Sequence, residues 1–115
     1  MKSGILYDQG DIVLMPLPFT DLTYAKKRPV LVLSKKEHNS KGDDFIVCGI
    51  TSNLEDKDCS ILIEKKDFEN GFLPKPSRVK IDKIFTLEQK LAVKKFGKVK
   101  IAVLNKVKED LFRII

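Results

Sequence analysis

The chain has 115 residues, 43% of them hydrophobic and 33% charged, and carries a net charge of +6. That length fits a single domain, residues 1–115, which can bury a core without staples. No apolar run approaches the ~20 residues of a membrane helix. The N-terminus MKSGILYDQG lacks the apolar stretch of a signal peptide, so the expected compartment is the cytoplasm, with no membrane partner. The basic excess points to an anionic partner, either nucleic acid or an acidic protein segment. Cys48 and Cys59 do not form a metal-type spacing, and His38 has no His or Cys neighbour, so no metal site and no cofactor are expected. Each cysteine lies in an apolar run and is expected to be buried and reduced.

In chain order, Ile12 to Met15 follows Gly10-Asp11 and reads as a strand. Pro16 and Pro18 are expected to end it, because neither can donate to a ladder. Val30 to Leu33 is an unbroken apolar run, the mark of a strand buried on both faces. Phe45 to Ile50 is the third strand. The turn residues Ser52, Asn53 and Asp58 lead into Ser60 to Ile63, its hairpin partner. Lys66 to Asn70 reads as one helical turn closed by Gly71. Pro74 and Pro76 keep the next segment extended. Arg78 to Ile84 alternates with period two, Val79 and Ile81 on one face and Lys80 and Asp82 on the other. A short strand is expected over Leu91 to Phe96, ended by Gly97. The tail then switches period: Ile101, Leu104, Val107, Leu111 and Ile114 recur at helical spacing opposite Lys106, Lys108, Glu109 and Asp110. The fold class is mainly β with helix (α+β): a small, strongly bent antiparallel barrel with a C-terminal helix packed on it.

Three stretches, Gly10-Asp11-Ile12-Val13, Pro18-Phe19-Thr20-Asp21-Leu22 and Lys27-Arg28-Pro29-Val30-Leu31-Val32-Leu33-Ser34, together resemble the MazF/PemK family. Ile50-Thr51-Ser52 and Pro76-Ser77-Arg78-Val79-Lys80-Ile81-Asp82-Lys83 agree with it in order. The resemblance implies an SH3-like barrel, a homodimer, and the toxin of a toxin–antitoxin pair. It further implies metal-independent endoribonuclease activity on single-stranded RNA, such as mRNA, at short sequences. The cognate antitoxin would block the site with an extended, largely acidic segment. CcdB-like proteins, which poison gyrase, share the barrel and stand as the alternative, as does a non-catalytic nucleic-acid-binding module.

Metal-independent RNA cleavage needs a proton taken from the ribose 2′-hydroxyl, a proton given to the leaving 5′-oxygen, and stabilisation of charge on the phosphorane. Arg28 suits the last task, because a guanidinium is permanently charged and holds two phosphate oxygens at once. Thr51 matches the family's active-site threonine and can donate its hydroxyl; Ser52 stands beside it as substitute or assistant. Lys80 and Asp82 match a basic–aspartate pair that in part of the family binds or cleaves RNA, with Asp82 the candidate general base. They equally describe a solvated Lys–Asp face. Lys26, Lys27 and Arg78 supply further positive charge. In the loop from Leu17 to Lys27, Phe19 and Tyr24 are rings that could stack on bases. The candidate catalytic residues are therefore Arg28, Thr51 and Asp82. The candidate RNA-binding residues are Lys26, Lys27, Tyr24, Ser52, Lys80, Arg78 and Phe19.

Overall fold

The computed structural model describes residues 6–17 and 26–115. Its strands are β1 (Asp11–Leu17), β2 (Lys26–Val32), β3 (Asp44–Thr51), β4 (Ser60–Ile63), β5 (Phe68–Gly71), β6 (Ser77–Glu88) and β7 (Lys94–Val99). A one-turn helix, α1 (Lys36–Asn39), follows β2, and a long helix, α2 (Ile101–Ile114), ends the chain. Among the described residues the strands form one sheet in the order β4-β6-β3-β2-β1-β7-β5, every neighbouring pair antiparallel.

The sheet curls until its two edges share a core. Ile61 and Ile63 of β4 pack in the same cluster as Phe68 of β5, with Ile12, Leu31, Ile50, Val79 and Val99 between them. α2 fills this half-barrel with Val103, Leu104 and Val107. The opposite face of β1, β2 and β3 is covered too: Val13, Met15, Val30, Val32, Phe45 and Val47 form a second cluster with Phe85 and Leu87 against it. Burial on both faces leaves no room for polar alternation, which is why Val30-Leu31-Val32 is continuously apolar.

The N-terminal Gly10-Asp11 pair is structural. Gly10 has φ +98, and a Cβ there would stand 3.1 Å from Leu104 Cδ1. Its N–H donates to the Val32 carbonyl. Asp11 is buried; its Oδ2 accepts from the Asp8 N–H and its Oδ1 lies 3.2 Å from Lys95 Nζ. Ser34 is structural as well: its hydroxyl donates to Asn39 Oδ1 and accepts from the Ile46 N–H. Asn39 Nδ2 in turn donates to the carbonyls of Tyr7 and Ser34. His38, on α1, is exposed.

Several local expectations are corrected. β1 does not stop before Pro16 but runs through it to Leu17. The Leu14 carbonyl accepts from Val93, so Pro16 faces the same side, beyond the start of β7, where a missing N–H breaks no ladder bond. Pro18 lies outside the described residues. Gly71 does not close a helical turn. The turn is a 3-10 turn at Lys65–Asp67, and Gly71 ends β5 at φ +70. Gly97 does not end a strand but sits inside β7, opposite Gly71. A Cβ on Gly71 would meet the Phe96 carbonyl oxygen at 2.1 Å, so the pair exists to let β5 and β7 approach. Cys48 is buried, and burial pushes its thiol up to about 12. Cys59, by contrast, is exposed, in the left-handed region at φ 48. On α2, Val103 joins the buried stripe, while Ile101 and Ile114 at its ends are 65% and 48% exposed.

The largest departure from regular pleating is in β6. Lys80 pairs with Gly49 and Ile84 with Cys48, so Ile81-Asp82-Lys83 bow out between consecutive rungs of β3. Lys83 Cβ lies 3.6 Å from where a Cβ on Gly49 would stand, so the bulge folds over a position that has no side chain.

Candidate active site

A single cross-strand row gathers the chemistry. Met15 of β1 pairs with Arg28 of β2, Thr51 of β3 pairs with Arg78 of β6, and Arg78 pairs with Leu62 of β4. β2 and β3 join the two halves: Val30 pairs with Gly49 and Val32 with Val47, and the same register carried two residues further sets Arg28 opposite Thr51. By the alternation of the pleat, Arg28 and Thr51 leave the sheet on the face of Val30, Val32 and Val47. Pro29 has no N–H to give to β3, and the paired residues of this ladder stop at Val30–Gly49. The arginine and the threonine thus sit just past the end of the β2–β3 ladder. Directly opposed residues such as Thr51 and Arg78 hold their Cβ atoms ~4.5–5.5 Å apart.

The loop after Thr51 is held by side chains. Thr51 Oγ1 accepts from the Asn53 N–H at 3.1 Å, which makes a tight turn at the end of β3. That bond uses a lone pair and leaves the hydroxyl proton to be donated. Arg78 Nε donates to the Leu54 carbonyl at 2.8 Å, and Nη1 lies 3.4 Å from Ser60 Oγ. Its remaining N–H groups exceed what these contacts use. Lys80 is buried, its ammonium 2.7 Å from Asp56 Oδ1 and also donating to the Asp58 carbonyl. Two cations of β6 thus clamp the loop that continues from Thr51.

Not every sequence candidate joins this row. Ser52 is exposed, one residue beyond Thr51. Lys26 and Lys27 are exposed at the start of β2, paired with Leu17 and Pro16, and extend the positive charge outward from Arg28. Lys80 is no solvated lysine: its charge is spent on Asp56. Asp82 lies in the bulge, outside the regular two-residue repeat that starts at Lys80; it is exposed and falls between the Cys48 and Gly49 rungs rather than at Thr51. Phe19 and Tyr24 lie outside the described residues. The Lys80–Asp56 pairing had no signal in the sequence, since the two positions are 24 apart and belong to different elements.

Arginines and a hydroxyl lie on one face at the end of a curled sheet, on a small barrel closed by a helix, and this fold is that of MazF. The chain is similar to a solved MazE–MazF structure from Deinococcus radiodurans (TM-score 0.78, 18% identity, 96% of each chain covered). It is similar to Mycobacterium tuberculosis toxin MazF-mt6 (TM-score 0.72, 19% identity, 90% of this chain and 93% of that one). It is also similar to an endoribonuclease in complex with its cognate antitoxin from a mycobacterial species (TM-score 0.71, 19% identity, 94% and 91%). At these identities the likeness is one of fold. No curated protein matches the chain significantly. The model of the PemK-like, MazF-like toxins of type II toxin–antitoxin systems matches residues 8–115, and the chain belongs to that family.

Proposed function

We propose that this toxin is an endoribonuclease that cleaves single-stranded RNA without a metal ion. The observation that carries the reading is the Thr51–Arg78 rung, with the β2–β3 register, extended two residues past its last rung at Val30–Gly49, setting Arg28 beside it. The 2′-hydroxyl gives its proton to a water molecule as its oxygen bonds to phosphorus, the bond from phosphorus to the 5′-oxygen breaks, and that oxygen takes a proton from water, so the products are a 2′,3′-cyclic phosphate and a 5′-hydroxyl. Arg28 holds two phosphate oxygens and balances the charge that grows on them; Arg78 adds charge from the neighbouring strand, and Thr51 donates its hydroxyl to a phosphate oxygen. His38 is the one histidine of the chain, so a two-histidine scheme is ruled out within one subunit. Asp82, exposed on its bulge, stands apart from the Thr51–Arg78 rung, and water carries both protons. Most of the rate gain comes from charge stabilisation and orientation, and turnover is slow.

The same basic edge suits an extended acidic segment of a cognate antitoxin, and the mycobacterial endoribonuclease–antitoxin complex supports such a partner. A homodimer and a cytoplasmic site of action complete the reading. The test is incubation of the purified, folded protein with a long single-stranded RNA in EDTA, followed by mapping of the ends. Cyclic phosphate ends at a recurring short sequence are expected. Intact RNA at high enzyme concentration would refute it.

A further inference from the structure

A groove of about 530 Å³ lies beyond the row, lined by Lys65, Lys66, Phe72, Pro74, Lys75 and Pro76, among others. None of these residues belongs to the candidate site. Phe72 is 53% exposed and lines the groove, so its ring is accessible from solvent. Lys65 Nζ stands 5.4 Å from the centre of that ring. Glu64 is the one acid among the lining residues, against three lysines. The prolines keep the wall extended and stiff.

The groove lies just past the last rung of the β4–β6 ladder, Ile63–Ser77. Arg78 pairs with Leu62, and the same register carried two residues outward sets Pro76 opposite Glu64, both lining the groove. Leu62, 41% exposed, is the apolar step between them. A chain leaving the Thr51–Arg78 rung over Arg78 therefore runs over an apolar side chain into a pocket with a half-exposed aromatic ring, Lys65 over one of its faces, and two further lysines. Planar bases joined by phosphates match that sequence of surfaces; an acidic peptide would use the charge but not the ring.

We propose that this groove is an accessory subsite for a nucleotide flanking the cleavage position, its base stacked on Phe72 and its phosphates held by Lys65, Lys66 and Lys75. The inference rests on the endoribonuclease reading. It makes affinity depend on RNA length while the bond-breaking step does not.

The experiment uses fully 2′-O-methylated RNA, which cannot be cleaved, in a short form covering the cleavage sequence and a form extended at both ends. Wild type is expected to bind the extended form more tightly. Phe72→Ala, at an exposed position, should weaken the extended form roughly ten-fold and leave the short form unchanged. Replacing Lys65, Lys66 and Lys75 by alanine should lower the salt slope by ~0.7 for each phosphate that is no longer neutralised. With cleavable RNA, Phe72→Ala should raise KM for long substrates and leave kcat alone. Wild-type binding by both variants, with cleavage intact, would overturn the subsite and spare the nuclease reading. Failure of wild type to bind either oligonucleotide would remove both. If the variants lose affinity only for a glutamate-rich synthetic peptide, the groove takes a protein segment and the proposal is wrong.

Discussion

Lys80→Met and Asp56→Ala remove opposite halves of one ion pair, and the structure makes their costs unequal. The Lys80 side chain is 8% exposed and that of Asp56 is 44% exposed. Without Lys80, water reaches the Asp56 carboxylate, and methionine preserves the packing of the lysine stem. The loss is a pair with one hydrated partner, about 1 kcal/mol. Without Asp56, a buried ammonium is left with the Asp58 carbonyl. Removing one partner of a buried pair costs ~3–5 kcal/mol. Half-exposure of Asp56 and the remaining carbonyl bond bring this to about 2–3 kcal/mol. Urea unfolding followed by circular dichroism reads both, with m unchanged if the transition stays two-state. In thermal unfolding followed by the same signal, the midpoint temperatures should fall by about 4 °C for Lys80→Met and about 10 °C for Asp56→Ala. The double variant should be more stable than Asp56→Ala alone, because the stranded charge is gone. Equal costs for the single variants, or a double variant no better than Asp56→Ala, would refute the view that Lys80 is a buried charge spent on holding the loop.

Gly97→Ala should destabilise by about 3 kcal/mol or more, since its Cβ would stand 2.2 Å from the Asn70 carbonyl oxygen and neither backbone can yield; thermal unfolding measures it. In the native protein Cys59 should react with a maleimide while Cys48, buried with its thiol at about 12, should react only on unfolding, which peptide mapping of the labelled protein separates. Burial raises the Asp8 carboxyl, but the Lys98 hydrogen bond and the N–H groups of Gln9 and Lys36 outweigh it and hold the group below its usual value. A depressed carboxyl stabilises the fold above its unfolded value of ~3.9 and loses that contribution as pH falls through the folded value. Asp8→Asn should therefore be less stable than wild type at neutral pH and converge with it in acid, as urea titrations across that range would show.

What the sequence revealed follows from how local each signal is. The two-sided burial of β2 is written in Val30-Leu31-Val32, and the helical period of α2 in Leu104, Val107 and Leu111, because both depend on near neighbours. Arg28 and Thr51 were legible through a resemblance in short motifs, which the register of β2 and β3 turns into one row. The bulge at Ile81-Asp82-Lys83 was only partly legible: alternation holds from Arg78 to Asp82 and fails at Lys83-Ile84, but only the pairing with β3 shows that failure to be a bulge. The same holds for Gly71 and Gly97, whose meaning is a close approach between strands rather than a turn. Lys80 looked like a surface lysine because its partner comes from another element. The groove around Phe72 is assembled from two segments, and neither alone suggests a pocket.

The claim on which the rest depends is that the guanidinium of residue 28 and the hydroxyl of residue 51 act together on one phosphate. A double-mutant cycle tests it directly, with single-turnover cleavage of a defined RNA by wild type, Arg28→Ala, Thr51→Val and the double variant, each shown folded by circular dichroism. Groups that act as a unit lose less together than the product of their separate losses. Each single variant should lose most of the rate, with the double variant little slower than Arg28→Ala. Folded single variants that cleave at the wild-type rate, or losses that simply multiply, would contradict the account.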